Sequence, residues 1–74
     1  MSAHGIVLFH TTSSAMRAEK TLLGQGMAVK MIPTPRQFSS DCGIALRFEW
    51  SRQDAVREFL IGARVEIAGL HPYG

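Results

Sequence analysis

The sequence predicts an α+β fold in which four strands and two helices follow one another in the order β-α-β-β-α-β. Three observations support this prediction: apolar runs with β-branched members, two stretches with helical spacing of apolar residues, and turn residues between them. With right-handed crossovers, this order closes into a four-stranded antiparallel sheet with both helices on one face. The 74 residues suffice for a single domain over residues 1–74 and are too few for two.

The first part of the chain predicts a central strand followed by a helix. Residues 6–9 are a continuous apolar run with β-branched members, which is typical of a strand covered on both faces. The polar run that begins at Thr11 offers an N-cap, and apolar residues at helical spacing follow it. Because glycine favours the position just after a helix, Gly24 and Gly26 are expected to end this one.

The middle of the chain predicts two strands joined by a long loop. The second strand covers residues 27–32 and ends where prolines begin, because proline withdraws a ladder donor. Residues 33–43 then form a loop of about eleven residues, which is long for a hairpin and therefore a candidate functional segment. Alternation of apolar and polar residues over 44–50 predicts a third strand with one buried and one solvated face.

The last third of the chain predicts a helix and a strand. Ser51 with Asp54 resembles a capping box at the start of the helix. The helix carries an apolar stripe, made of Ala55, Val56, Phe59, Leu60 and Ala63. Residues 65–70 predict the last strand, and residues 71–74 a short tail.

These elements together define a ferredoxin-like sandwich, in which both helices cover one face of the sheet. The other face has no cover of its own in this prediction. Lys30 and Arg47 are expected on it, among apolar residues of the first strand. A mixed apolar and charged face of this kind is a candidate surface for a homodimer.

Composition argues against several classes of protein. The net charge of +2 comes from scattered Lys and Arg without a basic stripe, so we expect no nucleic-acid partner. No apolar run is long enough for a signal peptide or a membrane span, which favours a cytoplasmic protein without a membrane partner. One cysteine and three scattered histidines match no zinc spacing, so no metal or other cofactor is expected. No serine lies in a nucleophile elbow, which argues against a Ser–His–Asp hydrolase.

The topology gathers polar residues at one end of the predicted sheet. The first strand ends, and the third begins, at the end where the first helix starts, so Cys42 is expected near His10 and this helix. A helix N-terminus carries partial positive charge, and together with His10 or Arg36 it favours a thiolate. Asp41, next to Cys42, acts in the opposite direction. Three larger side chains are expected at the far end of the sheet: His4, Trp50 and His71.

Cys42 is the leading candidate for a chemical role, since it is the only cysteine and its neighbours are polar. It follows Ser39-Ser40-Asp41 and precedes Gly43, so we expect its sulfur to project from an exposed loop. The commonest alternative for a lone cysteine is burial as a small apolar residue. The two serines and Asp41 are either turn formers or, with Gly43, part of an anion-binding nest.

A Pro-x-Pro-Arg turn ends at Arg36, serines follow, and Cys42-Gly43 then enters a strand. In these features the segment 33–48 resembles a family of small bacterial domains described as putative selenium/sulfur carrier protein-like, and the resemblance extends over roughly residues 5–70. Asp41 stands where some members have serine. Carried over by position, the resemblance implies a site made of Arg36, Ser39, Ser40, Cys42 and Gly43.

Two functions from different classes fit these features. The resemblance implies a carrier that holds sulfur or selenium on Cys42 as a persulfide or selenopersulfide and passes it from a donor protein to a partner enzyme. Arg36 or His10 would stabilise the anion, and the protein would be a thiol carrier more than a turnover enzyme. The alternative is a non-catalytic small-anion-sensing or protein-interaction module, in which the loop 33–43 binds the ligand and Cys42 is incidental.

Overall fold

The helices and strands follow the predicted order, as a computed structural model that describes residues 3–38 and 42–73 shows. The elements are β1 (His4–Leu8), α1 (Thr12–Gly24), β2 (Lys30–Pro33), β3 (Ile44–Glu49), a 3-10 turn (Trp50–Arg52), α2 (Gln53–Gly62) and β4 (Gly69–Tyr73). The sheet has the order β2-β3-β1-β4, and every neighbouring pair is antiparallel. The predicted ferredoxin-like α+β fold is confirmed. No helix of the described chain is long and apolar enough to cross a membrane.

The central strand β1 is buried on both faces, as its continuous apolar run predicts. Val7 belongs to the core between the sheet and the two helices, which we call the main core. Phe9, the first residue after β1, belongs to the same core. Ile6 and Leu8 point to the opposite side, which we call the open face. Both sets are less than 5 % exposed, so the open face is also covered in part.

The alternation in β3 places its residues as expected. Leu46 and Phe48 enter the main core, whereas Ala45 is buried on the open face. Arg47 pairs with Ile6 on one side and with Lys30 on the other, and cross-strand partners share a face. Lys30 and Arg47 therefore lie on the open face, as predicted.

Both helices end in the same hydrogen-bonded motif. After α1 the amide of Met27 donates to the carbonyl of Leu22 at 3.1 Å, and Gly26 takes the left-handed conformation with φ 76°. After α2 the amide of Val65 donates to the carbonyl of Leu60 at 2.9 Å. The left-handed position there is Arg64, with φ 57°, although an L side chain disfavours that conformation.

Three strands have other bounds than predicted. The first strand runs over His4–Leu8 instead of residues 6–9. The last strand runs over Gly69–Tyr73 instead of 65–70, because Val65 closes the end of α2 and is buried there. The presumed tail joins the sheet because β4 is an edge strand, where Pro72 can pair with β1 without leaving a neighbour unsatisfied. The second strand begins only at Lys30, because the chain is still turning out of α1 at Met27.

The predicted capping box at the start of α2 is also wrong. Ser51 lies inside the 3-10 turn, and that turn continues directly into α2. The N-cap position is Arg52, which makes no side-chain capping hydrogen bond. Ser51 therefore lacks the extended conformation that a capping serine requires.

Candidate functional site

Cys42 lies at the end of the sheet where β1 ends and β3 begins. The pairs Leu8–Ala45 and Pro33–Ile44 are the last of the ladder at this end. The same end holds the start of α1, so the predicted approach of Cys42 to this helix is confirmed. The loop between β2 and β3 thus delivers its cysteine to a helix N-terminus.

The sulfur of Cys42 is buried, and the expectation of an exposed thiol is wrong. The residue is 5 % exposed and belongs to the main core. The reason is its place in the alternation of β3, because position 42 has the same parity as the inward-facing Ile44, Leu46 and Phe48. The alternation that includes position 42 is visible in the sequence, but the polar residues before Cys42 favoured the prediction of an exposed loop.

The side chain of Thr12 lies against the sulfur of Cys42. Its Oγ1 lies 3.7 Å from Cys42 Sγ, and either atom can donate the hydrogen bond. Thr12 is the first residue of α1, directly after the N-cap Thr11, whose side chain accepts from the amide of Ser14 at 3.1 Å. No acidic residue lies in the first turn of α1, so that turn itself does not neutralise the positive end of the helix dipole. The surroundings of the sulfur include this positive helix end.

Thr34 closes the base of the loop that carries Cys42. Its amide donates to the carbonyl of Gly43 at 3.0 Å, and its hydroxyl donates to the carbonyl of Cys42 at 2.9 Å. The second bond fixes the backbone of the cysteine through a side chain. An added Cβ at Gly43 would meet nothing within 4 Å, so neither packing nor φ demands glycine there.

His10 and Arg36 are both exposed, in two different segments of this end. His10 lies between β1 and the N-cap of α1, as predicted. Arg36 occupies a turn in which the amide of Phe38 donates to the carbonyl of Pro35 at 3.0 Å. No hydrogen bond or ion pair joins Arg36 to Cys42 in the described part of the chain. The proposed role of Arg36 beside the sulfur therefore stays a prediction, as does that of His10.

Three of the predicted site residues, Ser39, Ser40 and Asp41, lie outside the described residues. Their roles as turn formers, as an anion-binding nest or as electrostatic neighbours of the thiol stay predictions.

Phe38 was not among the predicted site residues, although it anchors the loop. It packs against the apolar residues of the open face and stacks on His71 with ring centroids 5.3 Å apart. A second contact, edge to face, joins it to Tyr73 at 6.1 Å. The prediction of an uncovered sheet face is therefore corrected. An aromatic residue in an otherwise polar loop was the signal for such an anchor.

The far end of the sheet differs from expectation in one residue. His4 and Trp50 do lie there, since His4 pairs with Glu49 and the amide of Trp50 donates to the carbonyl of Ala3. His71, however, pairs with Ile6 in the middle of the sheet. The cause is that β4 begins at Gly69, later than predicted, so that His71 lies in the middle of this strand.

Cys42 lines neither of two shallow pockets formed by described residues. These pockets, of about 190 and 310 Å³, lie at the far end, where both are lined by Phe48 and Glu49. No group of three or more metal-ligating side chains is present within residues 3–38 and 42–73. Among the described residues of this end, the Cys42 sulfur and the Thr12 hydroxyl lie together at the N-terminus of α1.

The fold and the site define a small ferredoxin-like domain whose only cysteine lies at a helix N-terminus. The chain belongs to the family described as "Putative Se/S carrier protein-like", whose family model matches residues 4–72. The resemblance noted from the Cys42 loop is therefore confirmed. Neither the curated proteins nor the solved structures gave a significant match.

Proposed function

We propose that this protein carries sulfur or selenium on Cys42 as a persulfide or selenopersulfide and delivers it to a partner enzyme. The observation that supports this most is the position of its only cysteine, with Sγ 3.7 Å from the Thr12 hydroxyl at the N-terminus of α1. A hydroxyl and a helix N-terminus both stabilise negative charge on sulfur. Membership of the Se/S carrier family supports the choice of cargo.

The transfer requires only thiol chemistry. The Cys42 thiolate attacks the terminal sulfur of a donor persulfide, an S–S bond forms to Cys42, and the donor leaves as a thiolate. Delivery is the same step in reverse, with an acceptor thiolate attacking the terminal atom and Cys42 leaving. Selenium transfers in the same way from a donor selenopersulfide. Each step conserves electrons, so the carrier needs no cofactor of its own.

Burial of the sulfur suits a carrier between transfers. A persulfide in bulk solution is exposed to competing thiols and oxidants, whereas Cys42 lies in the main core at 5 % exposure. The partners we propose are accordingly a donor protein and an acceptor enzyme.

The test is to incubate the protein with a cysteine desulfurase and cysteine, or selenocysteine, and to weigh the intact chain. Wild type is expected to gain the mass of one sulfur or selenium atom, and dithiothreitol to remove it. Cys42→Ser is the matched control and gains nothing. A wild-type protein that stays at its original mass, while a known acceptor in the same tube is loaded, contradicts the proposal.

The burial of Cys42 in the main core also fits the alternative of a non-catalytic anion-sensing or interaction module. In that case the residue is a small apolar contributor to packing. Cys42→Ala discriminates between the two functions. A carrier loses chalcogen uptake completely with this substitution, whereas an interaction module keeps its binding partners and differs only in its free energy of unfolding.

A further inference from the structure

The end of β3 extends past the start of β2, and this offset leaves a notch in the sheet beside Phe48 and Glu49. The ladder between the two strands stops at the pair Lys30–Arg47, so neither residue of the notch has a β2 partner. In the register of the ladder Ala28 would stand opposite Glu49, but Ala28 belongs to the segment that leaves α1. The two shallow cavities at this end of the sheet both include Ala28, Phe48 and Glu49 in their lining.

The backbone of β3 directs an amide into the notch. In an antiparallel sheet, consecutive amides of one strand point to opposite edges of that strand. The amide of Trp50 donates to the carbonyl of Ala3, on the β1 side, at 3.1 Å. Glu49, just before it, is extended with φ −72° and ψ 125°. The amide of Glu49 therefore points to the β2 side, where no described residue offers it a backbone acceptor.

The larger cavity, of about 310 Å³, adds cationic side chains from the open face. Lys30 and Arg47 are cross-strand partners that share this face, and both line the cavity. Arg47 is half-buried, and neither side chain forms an ion pair with a described residue. Like charges directly opposite each other destabilise a sheet, so an anion held between these two would remove an unfavourable interaction. His4 lines the same cavity and carries a further ring N–H group.

One carboxylate stands among these groups. The side chain of Glu49 is exposed and lies on the same face as Arg47, two positions earlier. Arg52 lines the smaller cavity on the other side of Glu49. The cationic side chains at the notch, Lys30, Arg47 and Arg52, therefore outnumber its carboxylate, and this balance favours an anionic ligand over a cationic one.

We propose that the notch binds a small oxyanion, such as a phosphate or sulfate group, between Lys30, Arg47 and the backbone amide of Glu49. An ammonium, a planar guanidinium fork and an amide donate to several oxygens at once, which a monatomic anion does not offer. The five residue steps of β3 between Cys42 and Arg47 measure about 16 Å. The notch is therefore separate from the thiol, and the proposal does not depend on the carrier function.

The test is a titration of ¹⁵N-labelled protein with sodium phosphate at constant pH and ionic strength, followed by the backbone amide resonances in NMR spectra. We expect saturable shifts centred on Glu49 and Lys30, with a dissociation constant of roughly 1–10 mM, since the site is shallow and exposed to solvent. Sodium sulfate is expected to act in the same way, whereas sodium chloride at equal ionic strength leaves these resonances unchanged. Glycerol 3-phosphate separates two sources of the phosphate group: tighter binding than inorganic phosphate indicates an organic ligand, and weaker binding indicates the free ion.

Three variants assign the binding to the notch. Lys30→Gln and Arg47→Gln each remove one charge and are expected to weaken phosphate binding roughly fivefold. Lys20→Gln makes the same change of charge at an exposed position of α1, on the helix side, and is the matched control that binds as wild type does. A wild-type protein without saturable shifts, shifts that chloride reproduces, or an equal loss in Lys20→Gln overturns the proposal. If Arg47→Gln does not fold, the exposed Lys30 carries the test, and unchanged binding in Lys30→Gln also overturns it.

Discussion

At the scale of single residues, the sulfur of Cys42 has a polar neighbour in a mostly apolar setting. Thr12 Oγ1 lies 3.7 Å from Sγ, and the remaining members of the main core are hydrophobic. A hydrogen bond to a charged group is stronger in such surroundings than in water. In the proposed transfer, the hydroxyl would therefore stabilise the sulfur as it becomes the attacking or leaving thiolate.

Replacing Thr12 tests this role. Thr12→Val keeps the shape of the side chain and removes the hydroxyl, so the rate of chalcogen transfer to Cys42 is expected to fall about tenfold. Thr12→Ser keeps the hydroxyl and is expected to restore most of the rate. Stopped-flow or quenched-flow transfer from a loaded desulfurase measures both. Equal rates in Thr12→Val and wild type would show that the hydroxyl has no part in the transfer.

Arg64 and Gly26 occupy equivalent left-handed positions, one after each helix. Arg64→Gly relieves the disfavoured conformation of an L residue and is expected to stabilise the protein by about 0.5–1 kcal/mol. Gly26→Ala introduces the same conflict and is expected to destabilise the protein by about 1 kcal/mol. The added Cβ would meet no atom within 4 Å, so the whole cost comes from the backbone conformation. Urea denaturation measures both changes. A loss of stability in Arg64→Gly would mean that the arginine side chain makes a compensating contribution.

At the scale of elements, the packing of Phe48 and Trp50 on β1 requires a glycine at position 5. A Cβ on Gly5 would lie 2.5 Å from atoms of both Phe48 and Trp50, whose rings pack over β1. Gly5→Ala is therefore expected to cost about 3 kcal/mol of unfolding free energy, because backbone and two rings would have to shift. Thermal or urea unfolding of the variant checks this. A loss below about 1 kcal/mol would show that the rings repack easily.

The elements that the sequence predicts well are those with a local physical cause. Gly26 ends α1 because it tolerates a positive φ, and Thr11 caps it because its hydroxyl reaches an amide of the first turn. The alternation over 44–49 sets the two faces of β3 without reference to the rest of the chain. The structure confirms these features because contacts with distant residues do not alter them.

The features that the sequence did not predict depend on contacts distant along the chain. Pro72 suggested a tail, and only the position of β4 at the edge of the sheet makes it acceptable as a strand residue. Cys42 is an exception with a local cause, because the alternation of β3 directs it into the main core although its polar neighbours favoured an exposed position. The place of Phe38 on the open face depends on residues more than thirty positions away.

At the scale of the whole molecule, the two faces of the sheet carry separate apolar clusters. The helix side contains the main core and the sulfur, and the open face holds Phe38 at one end. On that face Lys30 and Arg47 stand directly opposite each other. A homodimer through the open face stays a prediction, and it must now accommodate both the docked Phe38 ring and this pair of like charges.

The central claim is that Cys42 accepts a chalcogen atom and gives it up again. The most direct measurement follows isotope-labelled sulfur from a desulfurase to this protein and on to an acceptor thiol, by intact mass at each stage. The account predicts one labelled atom on wild type, none on Cys42→Ser, and quantitative loss of the label once the acceptor is added. A wild-type chain that is never labelled, or a label equally present on Cys42→Ser, would contradict it.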